Sequence, residues 1–254
     1  MEAMRFDVNT PDSPPVAGSA DLFVTTRWTM IRRARGTDAT AARDALAELC
    51  QSYWYPLYAY LRRCGSSPHD AEDTTQGFFA RLLRLDSLAK VNQEHGKFRA
   101  FLLASLKHFL ADERDFASAQ RRDARVTISL DAAEAEERYR AIPTETRTPD
   151  QVFERQWAVT LLETVMQRLS REYETSGRGA LFAALRFAIA GEKCSVPYCD
   201  LAARVGLSEE AVRVAVHRLR QRYRVALRDE LAQTVTSETE VLEELRELRR
   251  ILSR

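Results

Sequence analysis

Apolar residues recur three and four positions apart along most of this chain of 254 residues, a spacing typical of amphipathic α-helices. The pattern is almost continuous over residues 21–122, lapses over residues 123–150 and resumes over residues 151–233. The short run at residues 126–130 is the only candidate for a β-strand. We therefore predict an all-α fold of two small helical domains joined by a linker, with a further helix at residues 234–254.

The segments outside the two predicted domains differ from them in composition. Residues 1–20 are rich in proline, serine and aspartate, and we expect a disordered arm there. The linker at residues 123–150 carries scattered charges and two prolines, and it has room for one short helix.

The helix predicted at residues 234–254 is amphipathic. Ser237 and Glu240 have the spacing of a capping box at its start. Its apolar stripe is formed by Val241, Leu245, Leu248 and Leu252, with Leu242 beside it, and the rest is covered by Glu243, Glu244, Glu247, Arg246, Arg249 and Arg250. Because so short a helix is only marginally stable alone in water, we expect the stripe to pack on something. Packing on its own domain and a regulatory contact are both open.

The clearest local signal lies in the second predicted domain. A helix at Tyr198–Val205 is followed by Gly206 for a tight turn and by Ser208, which is a suitable N-cap for a second helix. That helix has apolar residues at helical spacing, namely Val212, Val216, Leu219, Tyr223 and Leu227. Its other surface is basic, with Arg213, His217, Arg218, Arg220, Arg222, Arg224 and Arg228. This order is the helix-turn-helix pattern, whose second helix enters the major groove of DNA.

Five residues of the basic helix are expected to contact DNA: Arg213, His217, Arg218, Arg220 and Arg222. Arg213 and His217 lie toward the N-terminal half, where base edges are normally read. The later arginines are better placed for phosphates, which position the helix without reading sequence. The alternative is a solvated basic helix in some other bundle, since arginine-rich helix faces are common.

Composition limits the classes of function. The formal net charge is only +1, so basic residues that bind nucleic acid have to be concentrated locally. Four cysteines without a CxxC pair and four scattered histidines indicate neither a disulfide scaffold nor a metal site. No apolar run or signal-peptide core occurs, so we expect a cytoplasmic protein without a membrane partner. No nucleophile–base pattern or glycine-rich phosphate loop occurs either, so we expect no enzyme and no cofactor.

The first predicted domain contains an ordered series of motifs. Residues 53–83 comprise an aromatic-Pro-Leu helix that ends in Leu-Arg-Arg, a short loop, and a helix that opens Asp-Ala-Glu-Asp and reaches Gln76. A Phe-Arg-x-Phe-Leu helix begins near Lys97. In this order and spacing the segment resembles region 2 of the bacterial sigma-70 family, in its extracytoplasmic-function group, and residues 151–233 resemble region 4. The family also carries a proline at the position of Pro56, so we expect a kinked helix there rather than a broken one.

The resemblance implies a promoter-specific initiation factor, which binds core RNA polymerase, directs it to −10 and −35 promoter elements and helps to open the promoter. The helix-turn-helix would bind the −35 element. The residues of the first domain expected at the −10 element are Asn92, Lys97, Arg99, Lys107, His108 and Arg114. Docking on the β′ clamp helices is expected from Asp70, Glu72, Asp73 and Gln76, with the β subunit as a further polymerase partner. A helix start near Ser67 would favour the same carboxylates without any partner, because they suit the helix dipole.

Two departures from the family pattern suggest how such docking is controlled. Gly77 stands where most of the family has an acidic residue, and Thr74 and Thr75 replace a usually apolar pair. These features resemble a subgroup associated with Ser/Thr kinases, which implies a kinase as partner and phosphorylation of Thr75 or, second, Thr74. The alternative is that the threonines bond back to the preceding helical turn. The rival to the whole interpretation is a helix-turn-helix regulator that acts without replacing the sigma subunit.

Overall fold

The computed structural model describes residues 39–82, 98–116, 132–142, 147–190, 197–235 and 237–253. Within these ranges every regular element is helical and no strand occurs, which confirms the predicted all-α class. The predicted arm at residues 1–20 and the candidate strand at residues 126–130 lie outside the described residues.

The helices of the described residues are α1 (Ala39–Arg63), α2 (Pro68–Leu82), α3 (Phe98–Phe116), α4 (Ala132–Arg140), α5 (Pro149–Thr175), α6 (Gly179–Leu185), α7 (Phe187–Ala190), α8 (Tyr198–Val205), α9 (Glu209–Ala232) and α10 (Glu238–Leu252). None of them combines the length and the apolar character that crossing a membrane requires.

Helix α1 supplies the most apolar surface. Every residue of this helix from 53 to 61 is buried, with Trp54, Leu57, Tyr58 and Leu61 almost inaccessible. The rings of Trp54 and Tyr58 stack with their centroids 5.3 Å apart. The helix continues through Pro56, so the expectation that this proline does not break it is confirmed.

The buried side chains form two clusters, and the long helix α5 belongs to both. The first cluster combines α1 to α4 with Phe153, Trp157 and Leu161 of α5, with Leu231 and Ala232 at the end of α9, and with residues of α10. The second combines Val165 and Leu169 of α5 with α6 to α9. The change of cluster therefore falls inside α5, and the first half of this helix packs with elements that precede the predicted linker. The domain boundaries themselves stay a prediction.

Helix α5 begins where the predicted linker ends. Thr148 is its N-cap, and its hydroxyl accepts a hydrogen bond from the backbone N–H of Gln151 at 3.3 Å. The Gln151 side chain accepts in return from the backbone N–H of Thr148 at 3.0 Å, and Pro149 occupies the first helical position. This capping box with a proline fixes the start of the 27-residue helix.

The short helix that the linker was expected to allow is α4, and a buried carboxylate attaches it to α1. Glu136 accepts hydrogen bonds from the Tyr58 hydroxyl at 2.7 Å and from Arg62 Nε and Nη2 at 2.9 and 3.0 Å. Arg140 donates to the same carboxylate at 3.2 Å. The hydrogen bonds from Arg62 are the largest cause of the lowered pKa of Glu136, while burial acts in the opposite direction. Helix α4, within the predicted linker, is therefore anchored to the first cluster.

Candidate nucleic-acid interface

The turn between α8 and α9 combines a left-handed glycine with a serine N-cap. Gly206 ends α8 in the left-handed region, with φ 67° and ψ 31°, which glycine adopts without steric cost. Ser208 then caps α9, and its hydroxyl accepts from the backbone N–H of Ala211 at 3.2 Å. The predicted glycine turn and serine cap are both confirmed.

Helix α9 buries one face and exposes the other. Val212, Val216 and Leu219 are buried in the second cluster, and Tyr223 and Leu227 are half-buried against it. The opposite surface is cationic and exposed, with Arg213, His217, Arg218, Arg220, Arg222, Arg224 and Arg228. All five residues of α9 that were expected to contact DNA therefore lie on accessible surface.

Intramolecular contacts orient several of these cations. Arg213 pairs with Glu209 one turn earlier at 2.6 Å, and its guanidinium lies 5.6 Å from the centroid of the Tyr198 ring in α8. Arg220 Nε donates to the carbonyl oxygen of Ala188 at 3.0 Å.

Arg222 pairs with Glu172 of α5 at 2.6 Å, so it points toward that helix. Within the described part of the chain, His217 and Arg218 form neither an ion pair nor a hydrogen bond. They lie one turn after Arg213, in the first half of α9. These two side chains can therefore turn toward a ligand without breaking a contact that the structure describes.

The start of α2 presents carboxylates to solvent. Ser67 caps the helix by accepting from the backbone N–H of Asp70 at 3.1 Å, so the predicted cap is confirmed. Asp70 and Asp73 are exposed and Glu72 is half-buried. Gln76 Nε2 donates to Glu72 Oε1 at 3.1 Å, so these two predicted docking residues lie side by side. The four predicted residues thus share the exposed part of one short helix.

The two threonines of α2 differ in accessibility, and the expected order of phosphorylation needs correction. Thr75 is 0% exposed, and its hydroxyl donates to the carbonyl oxygen of Ala71 at 2.7 Å. It therefore forms the bond to the preceding turn that was the alternative interpretation. A phosphate at this buried position would lose its hydration, so Thr75 is closed to a kinase in this conformation. Thr74 is half-buried and is the more accessible of the two.

Helix α3 was expected to bind the −10 element, and only part of its predicted surface is accessible. Lys107 and His108 are exposed, and Lys107 Nζ pairs with Asp150 at 2.8 Å. Asn92, Lys97 and the side chain of Arg114 lie outside the described residues.

Arg99 was predicted to contact DNA, and in the conformation described here its side chain is largely buried. Its side chain is only 12% exposed, and Nη2 pairs with Glu244 of α10 at 3.0 Å. Nη1 lies 3.8 Å from Glu154 of α5, and the guanidinium lies 4.2 Å from the centroid of the Trp157 ring. Two carboxylates of this chain therefore compensate the charge of Arg99.

Glu244 is the residue that sequence reasoning misplaced. The predicted stripe ran through Leu245 and Leu252, whereas the residues of α10 that are buried are Val241, Glu244, Leu248 and Ile251. Leu252 is 37% exposed, while Glu244 is 1% exposed. The buried line has spacings of three, four and three, so its periodicity was visible in the sequence. Because Glu244 lies between Val241 and Leu248 on this line, the neighbouring line through Leu245 is the more apolar of the two in the sequence.

The Ser237 cap of α10 is confirmed, since its hydroxyl accepts from the backbone N–H of Glu240 at 3.3 Å.

No group of three or more histidine, cysteine, aspartate or glutamate side chains among the described residues is arranged to hold a metal ion. No protein-family model matches the chain, and comparisons with curated proteins and with solved structures gave no match. The resemblance to the sigma-70 family therefore rests on the motifs quoted above.

Proposed function

We propose that this chain is a promoter-specific initiation factor of the sigma type, which binds core RNA polymerase and directs it to promoter DNA. The observation that carries the proposal is the helix-turn-helix formed by α8 and α9. Its second helix is capped by Ser208, buries its apolar face and exposes a row of cations on the opposite face. Such a helix fits the major groove of B-DNA in width and in charge.

The cations of α9 would divide between two kinds of contact. His217 and Arg218 lie in the first half of the helix and are unpaired within the described residues, so they would face base edges in a −35 element. Arg213 would join them by exchanging Glu209 for DNA. Arg220 and Arg222, which α7 and α5 hold by hydrogen bonds, would contact phosphates and fix the position of the helix.

A second exposed surface supports a polymerase partner. Asp70 and Asp73 in the first turns of α2 form an acidic patch on a helix whose other face is buried in the first cluster. An acidic patch of this kind suits docking on a basic protein surface, where complementary charge raises the rate and specificity of association. In a sigma factor this surface would meet the β′ clamp helices. A stand-alone regulator would need no such patch.

The decisive experiment combines polymerase binding with transcription. The purified full-length chain is added to core RNA polymerase, and run-off transcription is measured over a promoter library. We expect co-purification with the β′ subunit and transcripts from promoters with a shared pair of elements. Specific DNA binding without any association with core polymerase would overturn the proposal and favour the stand-alone regulator.

The docking surface can be tested by reversing its charge. Glu72→Lys with Asp73→Lys should abolish binding to core polymerase while circular dichroism shows an unchanged helical content. The matched control is Glu134→Lys with Glu137→Lys, which reverses two exposed charges on α4. Undiminished recovery of the β′ subunit with the first variant would contradict the docking assignment.

A further inference from the structure

A buried ion pair links helix α10 to the start of α3. Glu136 and Glu244 are the two buried carboxylates among the residues that the structure describes. Glu136 attaches α4 to α1, and Glu244 attaches α10 to Arg99, which is 145 positions away in the sequence. A carboxylate that is 1% exposed is stable only when a cation or several donors compensate its lost hydration. The position of α10 is therefore linked to the position of the Arg99 guanidinium.

Two more contacts hold the same junction. The backbone N–H of Phe98, at the first position of α3, donates to the carbonyl oxygen of Thr234 at 3.0 Å. It thereby satisfies one of the N–H groups that a helix start leaves open. Glu154 of α5 lies 3.8 Å from Arg99 Nη1 and 3.9 Å from Arg250 Nη2, so it links α3 with α10. The segment around α10 therefore contacts both the first residues of α3 and the first turns of α5.

Helix α10 is held by a short apolar face, to which the half-buried Leu245 adds, and by ion pairs that include Glu238 with Arg228 of α9. Among its described side chains the fully buried apolar ones are Val241, Leu248 and Ile251, while Leu242 is 41% exposed. A helix of 15 residues is marginal alone. A buried ion pair adds little net stability, because the cost of desolvation offsets most of the attraction. Helix α10 is thus well suited to leave its site when a competing partner is present.

We propose that α10 is a displaceable clasp, which covers Arg99 and keeps the chain closed until a nucleic-acid phosphate takes the place of Glu244. The proposal rests on the proposed function, in which the start of α3 binds the single-stranded −10 region. The Trp157 ring beneath the Arg99 guanidinium is buried and belongs to the core, so it holds the cation in place from α5. A positioned cation of this kind suits the backbone of a single strand, which positively charged grooves follow. Phosphate and Glu244 then compete for one guanidinium.

The test measures binding of a fluorescein-labelled DNA single strand of about 20 nucleotides to the full-length chain. Glu244→Gln keeps the shape of the side chain and removes its charge, so we expect roughly tenfold tighter binding because the closed state loses its compensated pair. The salt dependence should steepen, with the slope of log K against log salt changing by about 0.7, since one more phosphate is neutralised. Glu137→Gln, the same change on an exposed carboxylate of α4, is the control and should leave both quantities unaltered.

Two further variants distinguish release of Arg99 from general loosening. The double variant Glu244→Gln with Arg99→Ala should lose both the gain in affinity and the added slope. Leu248→Ala weakens the apolar packing of α10 and leaves both residues of the ion pair unchanged, so it should also increase the affinity. It replaces Glu244→Gln in the test if that variant does not fold. A gain that persists without Arg99, or equal affinity of Glu244→Gln and the wild-type chain, overturns the clasp.

The failure of the clasp and the failure of the proposed function have different signatures. A wild-type chain that binds core polymerase and starts transcription, without any gain in Glu244→Gln, overturns the clasp alone. A chain that never binds core polymerase overturns the proposed function, whereas an Arg99-dependent gain in single-strand binding still supports the clasp.

Discussion

Removing the Glu136 carboxylate should destabilise the chain more than any nearby surface substitution. Glu136→Ala deletes the acceptor for the Tyr58 hydroxyl and for Nε and Nη2 of Arg62, whose side chain is only 17% exposed. Breaking a buried pair by removing one partner costs about 3–5 kcal/mol, because the other charge stays buried without compensation. Arg62 keeps its hydrogen bond to the carbonyl oxygen of Ser66 and its position over the Tyr139 ring, 4.9 Å from the centroid. We therefore expect the free energy of unfolding to fall by about 3 kcal/mol, the lower end of that range.

The measurement is urea denaturation followed by circular dichroism at neutral pH. Glu137→Ala is the matched control, because it removes a carboxylate from the next position of α4, where the side chain is exposed. A change of about 0.5 kcal/mol or less is expected for the control. If both variants lose the same stability, the carboxylate of Glu136 does not anchor α4 and the reasoning from its hydrogen bonds is refuted.

The same carboxylate gives the stability a pH dependence of known sign. The pKa of Glu136 is lowered in the folded chain, chiefly by the hydrogen bonds from Arg62. The unfolded chain therefore binds more protons in the acidic range, so this contribution is complete above the unfolded pKa and is lost as the pH falls through the folded one. Glu136→Gln should flatten the acidic limb of a plot of stability against pH. An acidic limb identical to that of the wild-type chain would show that Arg62 does not act on this carboxylate.

Three smaller predictions concern α2 and the turn before α9. Gly77→Ala should raise the free energy of unfolding by about 1 kcal/mol, because the added Cβ meets only Phe109 Cζ at 3.7 Å; a lower melting temperature would contradict this. Gly206→Ala should lower that free energy by about 1 kcal/mol, since φ 67° is costly for alanine, and an unchanged thermal melt would argue against the left-handed turn. Thr75→Glu should destabilise the chain in a denaturant titration, whereas Thr74→Glu should be tolerated. The opposite order would place Thr75 on the surface.

The sequence predicted the elements whose evidence is local. The helix-turn-helix followed from Gly206 and Ser208, because a left-handed turn and an N-cap each require a particular kind of residue at one position. The buried face of α9 followed from the spacing of Val212, Val216 and Leu219, which periodicity alone determines. The alternative for Thr75 was also local, since a helical threonine reaches the carbonyl oxygen four residues earlier.

What the sequence did not predict depends on partners that are distant along the chain. Arg99 looked like one more cation on a basic surface, because its partner Glu244 is 145 positions away. Glu136 lies 74 positions from Arg62, and the linker that contains it gave no sign that it packs on α1. Helical periodicity allowed two lines of buried residues on α10, and the line through Glu244 is the buried one because of the elements that pack against it.

The two buried carboxylates also explain why segments predicted as linker and tail have defined positions. Helices α4 and α10 are too short to be stable alone, and each places one glutamate against an arginine of the first cluster. The pairs add little net stability, but a shifted helix would leave a buried charge without its partner, and that cost selects one register for each helix. The surroundings differ in one respect that bears on function. Arg62 lies at the end of α1 beside groups that stay folded with it, whereas Arg99 lies at the start of a helix with an exposed cationic surface. The same kind of contact therefore attaches α4 to a cation at the end of α1 and α10 to a cation at the start of α3, where the proposed clasp would act.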